Sequence, residues 1–199
     1  MKEIRNMSVK TTITENTGVY FITFTCYKWI PLFQITNGYD TVYRWFDVLR
    51  QKGHMIVAYV IMPNHLHVII AFRDTKESIN KIIGNGKRFI AYQLIELLRQ
   101  KDQVNLLIQL ASAVSTRDAR KGQMHRVFMR SFDIKECKTL YFIRQKADYI
   151  HQNPCRKTTL DYQSPEAYPH SSARYYITGK QGSYPVITYM ELQDISLSN

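Results

Sequence analysis

Residues 54–72 read HMIVAYVIMPNHLHVIIAF, two apolar runs that a Pro-Asn pair separates. Both runs are rich in β-branched and aromatic residues, which favour strands, and each has the length of an ordinary strand. Proline cannot donate to a strand ladder, so Pro63 ends the first run, and Asn64 suits the turn that follows. The stretch therefore predicts two strands, over 54–62 and 65–72, joined as a hairpin.

Strand and helix signals alternate on both sides of this hairpin. Further strands are predicted over 18–27 (GVYFITFTCY) and 126–134 (RVFMRSFDI), where apolar, aromatic and β-branched residues dominate. Residues 101–125 are ambiguous, because Leu106 to Leu110 could prolong a helix whereas STRDARKGQ resembles an exposed basic loop. Three segments carry apolar residues at helical spacing: 37–52, 78–100 and 138–153.

The order of these elements predicts the fold class. The predicted order is strand, helix, strand, strand, helix, strand, helix. This order is typical of an α+β protein with a ferredoxin-like antiparallel sheet and helices packed on one face. A doubly wound nucleotide-binding fold is excluded, since no GxGxxG follows a strand and no Walker motif is present. We predict a flexible N-terminus over 1–16, a single domain over 17–177 and a C-terminal tail over 178–199.

Length and composition exclude several other classes of protein. The chain has 199 residues, 45% of them hydrophobic, which is too apolar for a disordered protein. No apolar run approaches the roughly 20 residues of a membrane span, and MKEIRNMSVKTT lacks the apolar centre of a signal peptide. These features predict a cytoplasmic protein with no membrane partner. Three scattered cysteines without a CxxC argue against a disulfide framework or a thiolate zinc site.

The charge of the chain indicates a polyanionic partner. Lys and Arg number 27 against 16 Asp and Glu, giving a net charge of +11, and the pI is about 9.6. Such a balance favours a nucleic-acid partner. Fourteen Tyr and nine Phe supply flat faces on which unpaired bases can stack. The alternative is that the tyrosines simply belong to strands and core.

The sequence Pro63-Asn64-His65-Leu66-His67-Val68 is a candidate metal site. Side chains at i and i+2 of a strand point to the same face, so His65 and His67 aim two imidazoles at one point. Two neutral imidazoles on one side can begin a divalent metal site. The alternative is a surface strand that happens to carry two histidines.

The sequence Tyr149-Ile150-His151-Gln152-Asn153-Pro154 is the second candidate. Tyr149 and Asn153 lie one turn apart on the same face of the predicted helix. A phenol is a weak nucleophile at its ordinary pKa of ~10, so it needs a phosphate that a metal or basic groups polarise. The alternative is a tyrosine packed on the sheet and an asparagine that ends the helix before Pro154.

Taken together, the two motifs are similar to those of the REP-associated tyrosine transposases, which belong to the HUH endonuclease superfamily. The resemblance rests on AYVIMPNHLHVII followed by KADYIHQNP, and also on YFITFTCY, VFMRSFDIKE and YPHSSARYY. It extends from about residue 20 to about residue 176. It implies an insertion-sequence-200-like, single-strand DNA transposase with a ferredoxin-like sheet and the histidine pair on a central strand.

The resemblance also implies roles for particular residues. His65 and His67, with Asn153 as third ligand, would hold Mg²⁺ or Mn²⁺ and are the implied catalytic metal site. Tyr149 would be the catalytic nucleophile that forms a 5′-phosphotyrosyl link to cleaved single-stranded DNA and releases a 3′-OH. The implied substrate is single-stranded DNA that contains a hairpin. The resemblance is compatible with either a monomer or a homodimer.

Basic residues distributed along the chain are candidates for contacts with nucleic acid. Those near the two motifs could neutralise the scissile phosphate, and those in 101–125 could bind DNA without reading its sequence. An ordinary solvated basic face is the alternative for the helical ones. The candidates are Lys87, Arg88, Arg117, Arg120, Lys121, Arg130, Arg144 and Arg156.

Two other functions fit the same residues. A binding protein could use the basic, aromatic surface to hold structured single-stranded DNA or RNA without catalysis. A hydrolytic single-strand nuclease could use the same metal site with water as the nucleophile. The presence of both histidines, the tyrosine and the asparagine favours the transposase over the binding protein, and Tyr149 itself favours strand transfer over hydrolysis.

Overall fold

The protein is organised around one antiparallel sheet, and the computed structural model describes residues 13, 15–129, 133–156, 160 and 162–192. Over these residues, four strands pair in the order β2-β3-β1-β4. This is the ferredoxin-like order, so the α+β class and the antiparallel sheet are confirmed. The strands are β1 (Gly18–Thr25), β2 (Met55–Met62), β3 (His65–Phe72) and β4 (Asp133–Glu136).

The predicted hairpin of β2 and β3 is confirmed, and its turn is fixed by the chain that follows β1. Met62 pairs with His65 across the Pro63-Asn64 turn. The Pro63 carbonyl accepts a hydrogen bond from Phe33 N at 3.0 Å, and the Asn64 carbonyl accepts one from Cys26 N at 2.8 Å. Because both carbonyls are bonded, the start of β3 is held in a defined position.

The helices lie between and after the strands, close to the segments predicted from periodicity. Gly86 does not interrupt the long helix that contains it; a Cβ there would overlap the Trp45 indole, so glycine lets two helices approach closely. No helix among the described residues is both long and apolar enough to cross a membrane. The helices are α1 (Leu32–Thr36), α2 (Asp40–Gln51), α3 (Ile79–Gln100), α4 (Val104–Ser112), α5 (Thr116–Ala119), α6 (Leu140–Gln152) and α7 (Ala173–Thr178).

Helices cover both faces of the sheet, so the prediction that they pack on one face is wrong. On one face, α2 and α3 pack on β3 residues such as Leu66 and Val68. On the other face, Ile143, Ala147 and Ile150 of α6 pack against Ile69. The reason is that β3 is apolar on both sides, and a strand of that kind needs cover on each face.

The structure resolves one ambiguous segment and gives the pairing of one predicted strand. Residues 101–125 are neither an extension of α3 nor a plain loop, because α3 ends at Gln100 and α4 and α5 follow. The strand predicted over 126–134 is paired on both sides of a gap in the described residues: Phe128 makes an isolated bridge with Cys26, and β4 (Asp133–Glu136) pairs with β1. Residues 130–132 between them lie outside the described part of the chain.

The segment after α6 covers the free edge of β2. Ile61 N donates to the His170 carbonyl at 2.8 Å, and Ser172 N donates to the Tyr59 carbonyl at 3.0 Å. Farther along, Tyr184 and Val186 are buried in the core, although they lie within the predicted C-terminal tail. The YPHSS part of the sequence therefore protects an exposed strand edge.

His151 connects α6 to this covering segment. Its ring is 6% exposed, and its Nε2 makes a 2.9 Å hydrogen bond with Ser172 Oγ. The same hydroxyl accepts from Tyr59 N at 2.9 Å. Burial lowers the pKa of His151 to about 4. His151 is thus a neutral, structural residue that joins a helix to the edge of the sheet.

We expect His151→Gln to be less stable than the wild type at pH 7 but not at pH 4.5. Losing the ring and its hydrogen bond costs about 1 kcal/mol. Between pH 6.5 and about 4, the unfolded wild-type chain binds a proton that the folded chain excludes. The free energy of unfolding of the wild type therefore falls by roughly 2 kcal/mol more than that of the variant as the pH falls through this window. Urea unfolding at a series of pH values measures the difference in stability between the two proteins. A difference that does not change with pH would contradict a neutral, buried His151.

Candidate active site

His65 and His67 are neighbours at the beginning of β3, on the face that α6 covers. The strand register places them opposite Thr25 and Thr23 of β1. Their ring centroids are 4.8 Å apart at an interplanar angle of 72°. Both side chains are almost fully buried. The structure thus brings the two imidazoles together, as the spacing in the sequence requires.

Each of these rings is oriented by a hydrogen bond to its Nδ1 atom. His65 Nδ1 lies 2.7 Å from Asn64 Oδ1, and His67 Nδ1 lies 2.8 Å from Thr23 Oγ1. A ring held in this way presents Nε2 as its metal-binding nitrogen, and such a partner fixes the direction of that nitrogen. The motif contains Asn64, but its role was not predicted; Thr23 carries no sequence signal, since it comes from a distant strand.

The surroundings keep both imidazoles neutral. Burial lowers the pKa of His65 to about 4. Burial, with the charges of His65 and Lys146, lowers the pKa of His67 to about 3. A neutral imidazole has a lone pair to offer a cation, whereas an imidazolium has none. At neutral pH both rings therefore keep a lone pair that a metal ion could use.

α6 brings Tyr149 and Asn153 to the histidines. The Tyr149 ring lies edge-on to that of His67, with centroids 5.2 Å apart, and packs on Phe21 of β1 at 6.1 Å. Asn153, at the end of the same helix, is 8% exposed and lies close enough to His65 for its side chain to raise the pKa of that ring, against the larger lowering by burial. The four residues predicted as catalytic or metal-binding thus form one cluster.

Two cations adjoin the Tyr149 ring. The Arg156 guanidinium carbon lies 4.8 Å from its centroid, so this predicted basic residue is at the site. Lys146 Nζ lies 5.9 Å from the same centroid and 5.3 Å from that of Phe21. Lys146 was not among the basic residues predicted to contact nucleic acid. Its spacing, three residues before Tyr149 on a helix, is the signal that could have found it.

The other predicted basic residues lie elsewhere. Arg144 is exposed on α6, about 140° around the helix from Tyr149. Arg117 and Arg120 are exposed in and just after α5. Arg130 lies outside the described residues. The remaining three line one cleft beside α3: Lys87, Arg88 and Lys121.

The donor atoms of the cluster suit a divalent metal ion. No group of three or more His, Cys, Asp or Glu in the described ranges has the geometry of a metal site. A site here would therefore consist of two imidazole nitrogens and the Asn153 amide oxygen. Three protein donors leave positions for oxygens of a phosphate or water. The two nitrogens favour a transition ion such as Mn²⁺ over Mg²⁺.

Comparison with known proteins gives a match in structure but not in sequence. No family profile and no curated protein matches the sequence. A solved structure described as a REP-associated tyrosine transposase bound to a REP hairpin superposes with a TM-score of 0.58 and 18% identity, covering 97% of this chain and 98% of the other. A putative transposase from Deinococcus radiodurans gives a TM-score of 0.41 and 14% identity, covering 71% and 95%.

The fold defines the class of the protein. It is an α+β protein with a four-stranded antiparallel sheet in ferredoxin-like order and helices on both faces. This fold is that of the REP-associated tyrosine transposase over nearly the whole of both chains. The resemblance recognised from the sequence motifs is thereby confirmed at the level of the fold.

Proposed function

We propose that the protein is a metal-dependent tyrosine transposase that cleaves and rejoins single-stranded DNA containing a hairpin. The observation that carries the proposal is the contact between Tyr149 and His67, whose ring centroids are 5.2 Å apart. This contact between residues far apart in the chain supports Tyr149 as the nucleophile and the histidine pair as metal ligands. The solved structure with this fold is described as bound to a REP hairpin, which supports a folded DNA strand as the substrate.

In the proposed reaction, Tyr149 Oη attacks the scissile phosphorus and the bond from phosphorus to O3′ breaks. The phenol proton passes to water, and the leaving oxygen takes up a proton to become a 3′-OH. The DNA downstream of the cut stays linked to Tyr149 through its 5′-phosphate. Attack by another 3′-OH on this phosphodiester restores a DNA strand and the phenol, so no ATP is consumed.

The surrounding residues would support this step in distinct ways. His65, His67 and Asn153 are the residues that would hold Mg²⁺ or Mn²⁺, which when bound polarises the phosphate oxygens. Arg156 and Lys146 place two positive charges beside the Tyr149 ring. They would offset the charge of the phosphate as the phenol approaches it. Phe21 and His67 restrict the position of the ring by contact.

End-labelled DNA distinguishes this function from the alternatives. The protein is incubated with Mn²⁺ and single-stranded DNA from the flanks of its own gene, then run on a denaturing gel. We expect a 3′-end label to migrate with the protein and a 5′-end label to appear on a free, shorter strand. If both the 3′-labelled and the 5′-labelled DNA are cut and no label migrates with the protein, the protein is a hydrolytic nuclease. Binding with neither product would indicate a binding protein.

Arg156→Ala is expected to slow adduct formation at saturating DNA by roughly tenfold or more, because a charge beside the reacting phosphate is lost. The matched control is Arg144→Ala, which removes an exposed arginine of α6 away from Tyr149. Single-turnover kinetics with saturating DNA separates the rate of the chemical step from affinity. Equal rates for the two variants would exclude Arg156 from the reaction.

A further inference from the structure

A basic cleft lies beside α3, outside the cluster around Tyr149. It has a volume of about 840 Å³ and is bounded by α3 and the segment from Lys121 to Met129. That size is within the range of sites that hold small molecules, roughly 300–1,000 Å³. Five basic residues line it against two acidic ones, Glu96 and Asp118. The basic residues are Lys87, Arg88, Arg99, Lys121 and Arg126.

Large apolar and aromatic side chains are exposed in the same cleft. Tyr92 on α3 is 65% exposed, and Met124 on the facing segment is 72% exposed. Both side chains can therefore contact a molecule that binds in the cleft. Proteins commonly bind single-stranded nucleic acid with aromatic side chains set among cations. Each unpaired base can stack on an aromatic ring, and each phosphate linkage carries a negative charge.

One end of the cleft lies near the Tyr149 cluster. Met129, which lines the cleft, donates its backbone N–H to the Thr25 carbonyl at 2.8 Å. Thr25 is in turn the strand partner of His65. Two strand spacings, or about 10 Å, therefore separate the mouth of the cleft from the histidine strand. The cleft and the histidines lie on opposite faces of the sheet, so a strand of DNA at the histidines could reach the cleft by passing around the end of the sheet at Met129.

We propose that this cleft binds the single-stranded DNA that flanks the cleavage position, with Tyr92 stacking on an unpaired base and Arg88 and Lys121 contacting phosphates. This inference rests on the proposed function, which it extends by naming the path of the strand. A duplex is a poorer occupant, because its base faces are covered and could not stack on Tyr92. Lys87 contributes less directly, since its Nζ donates to the Met129 carbonyl at 2.6 Å.

Binding of a labelled oligothymidylate, measured by fluorescence anisotropy in the Tyr149→Phe background, tests the proposal without requiring cleavage. We expect Tyr92→Ala to raise Kd about tenfold. The matched control is Tyr141→Ala, which removes a tyrosine that is 77% exposed on α6 and does not line the cleft. The Arg88→Glu/Lys121→Glu double variant should raise Kd further and lower the slope of log Kd against log salt concentration by roughly 1 to 2. Lys180→Glu, outside the cleft, is its control.

Two results would overturn the proposal. Equal affinities of Tyr92→Ala and Tyr141→Ala would show that Tyr92 does not stack on a base. Equal binding of a duplex, with the same loss on Tyr92→Ala, would assign the cleft to another form of DNA. Either result leaves the adduct experiment unaffected, because that experiment depends on Tyr149. Conversely, if no adduct forms but the cleft variants bind DNA more weakly as expected, the transposase function is rejected and the proposal that the cleft binds DNA stands.

Discussion

Tyr149→Phe is expected to abolish the covalent DNA adduct while leaving DNA affinity unchanged within about twofold. The phenol oxygen is the proposed attacking atom, so its removal should lower adduct formation by roughly 10⁴-fold or more, as for other covalent nucleophiles. The phenylalanine ring can keep the contacts with His67, Phe21 and Arg156. The cluster should therefore remain folded and able to bind DNA.

The Tyr149→Phe variant is measured in parallel with wild type on 3′-end-labelled DNA, with affinity from anisotropy and stability from urea unfolding. Tyr162→Phe is the matched control, because this half-buried tyrosine packs on Tyr168 rather than on the histidines. The control should form the adduct at the wild-type rate. An adduct in Tyr149→Phe would assign the nucleophile to another residue, and mass spectrometry of the linked peptide would identify it.

His65→Ala is expected to reduce Mn²⁺ affinity strongly and to stop cleavage. It removes one of two imidazoles whose centroids are 4.8 Å apart, and the remaining donors are one imidazole and one amide. A bound metal stabilises the charge of the transition state by several kcal/mol, so its loss should slow cleavage by roughly a thousandfold. Isothermal calorimetry with Mn²⁺ measures the affinity, and the labelled-DNA assay measures the rate.

A graded variant separates ligand loss from general damage. Thr23→Val removes the 2.8 Å partner of His67 Nδ1 but leaves both imidazoles, so we expect Mn²⁺ affinity to fall by about 10- to 100-fold. His54→Ala is the control, because His54 is another buried histidine, on which Phe72 packs. Unchanged Mn²⁺ binding in His65→Ala would place the metal site elsewhere.

The hairpin and the histidine pair could be predicted from the sequence because their determinants are local. Alternation along β3 fixes that His65 and His67 share a face, whatever the rest of the chain does. Helical spacing likewise fixes that Tyr149 and Asn153 share a face of α6. The order of elements, with the shared motifs, was then sufficient to predict the ferredoxin-like antiparallel sheet that the structure contains.

Other features could not be read from local patterns. The apolar runs of β2 and β3 indicate burial but not the number of covered faces, which is why α6 was expected on the same side as α2 and α3. The strand predicted over 126–134 has the right composition, but its sequence does not say that Phe128 pairs with Cys26 and Asp133 with Thr23. The composition of a segment indicates that it can form a strand. Which of its residues pair with which residues of the neighbouring strand depends on that neighbour.

The sequence by itself determined which residues could carry the chemistry: a histidine pair on one strand and a tyrosine with an asparagine on one helix. Only the tertiary structure decided that the two groups meet, with Tyr149 against His67 at 5.2 Å. It also decided that Thr23 orients His67 and that Lys146 and Arg156 adjoin the tyrosine. The physical reason is that these contacts join segments far apart in the chain, and only the packing of α6 on the sheet sets their distances.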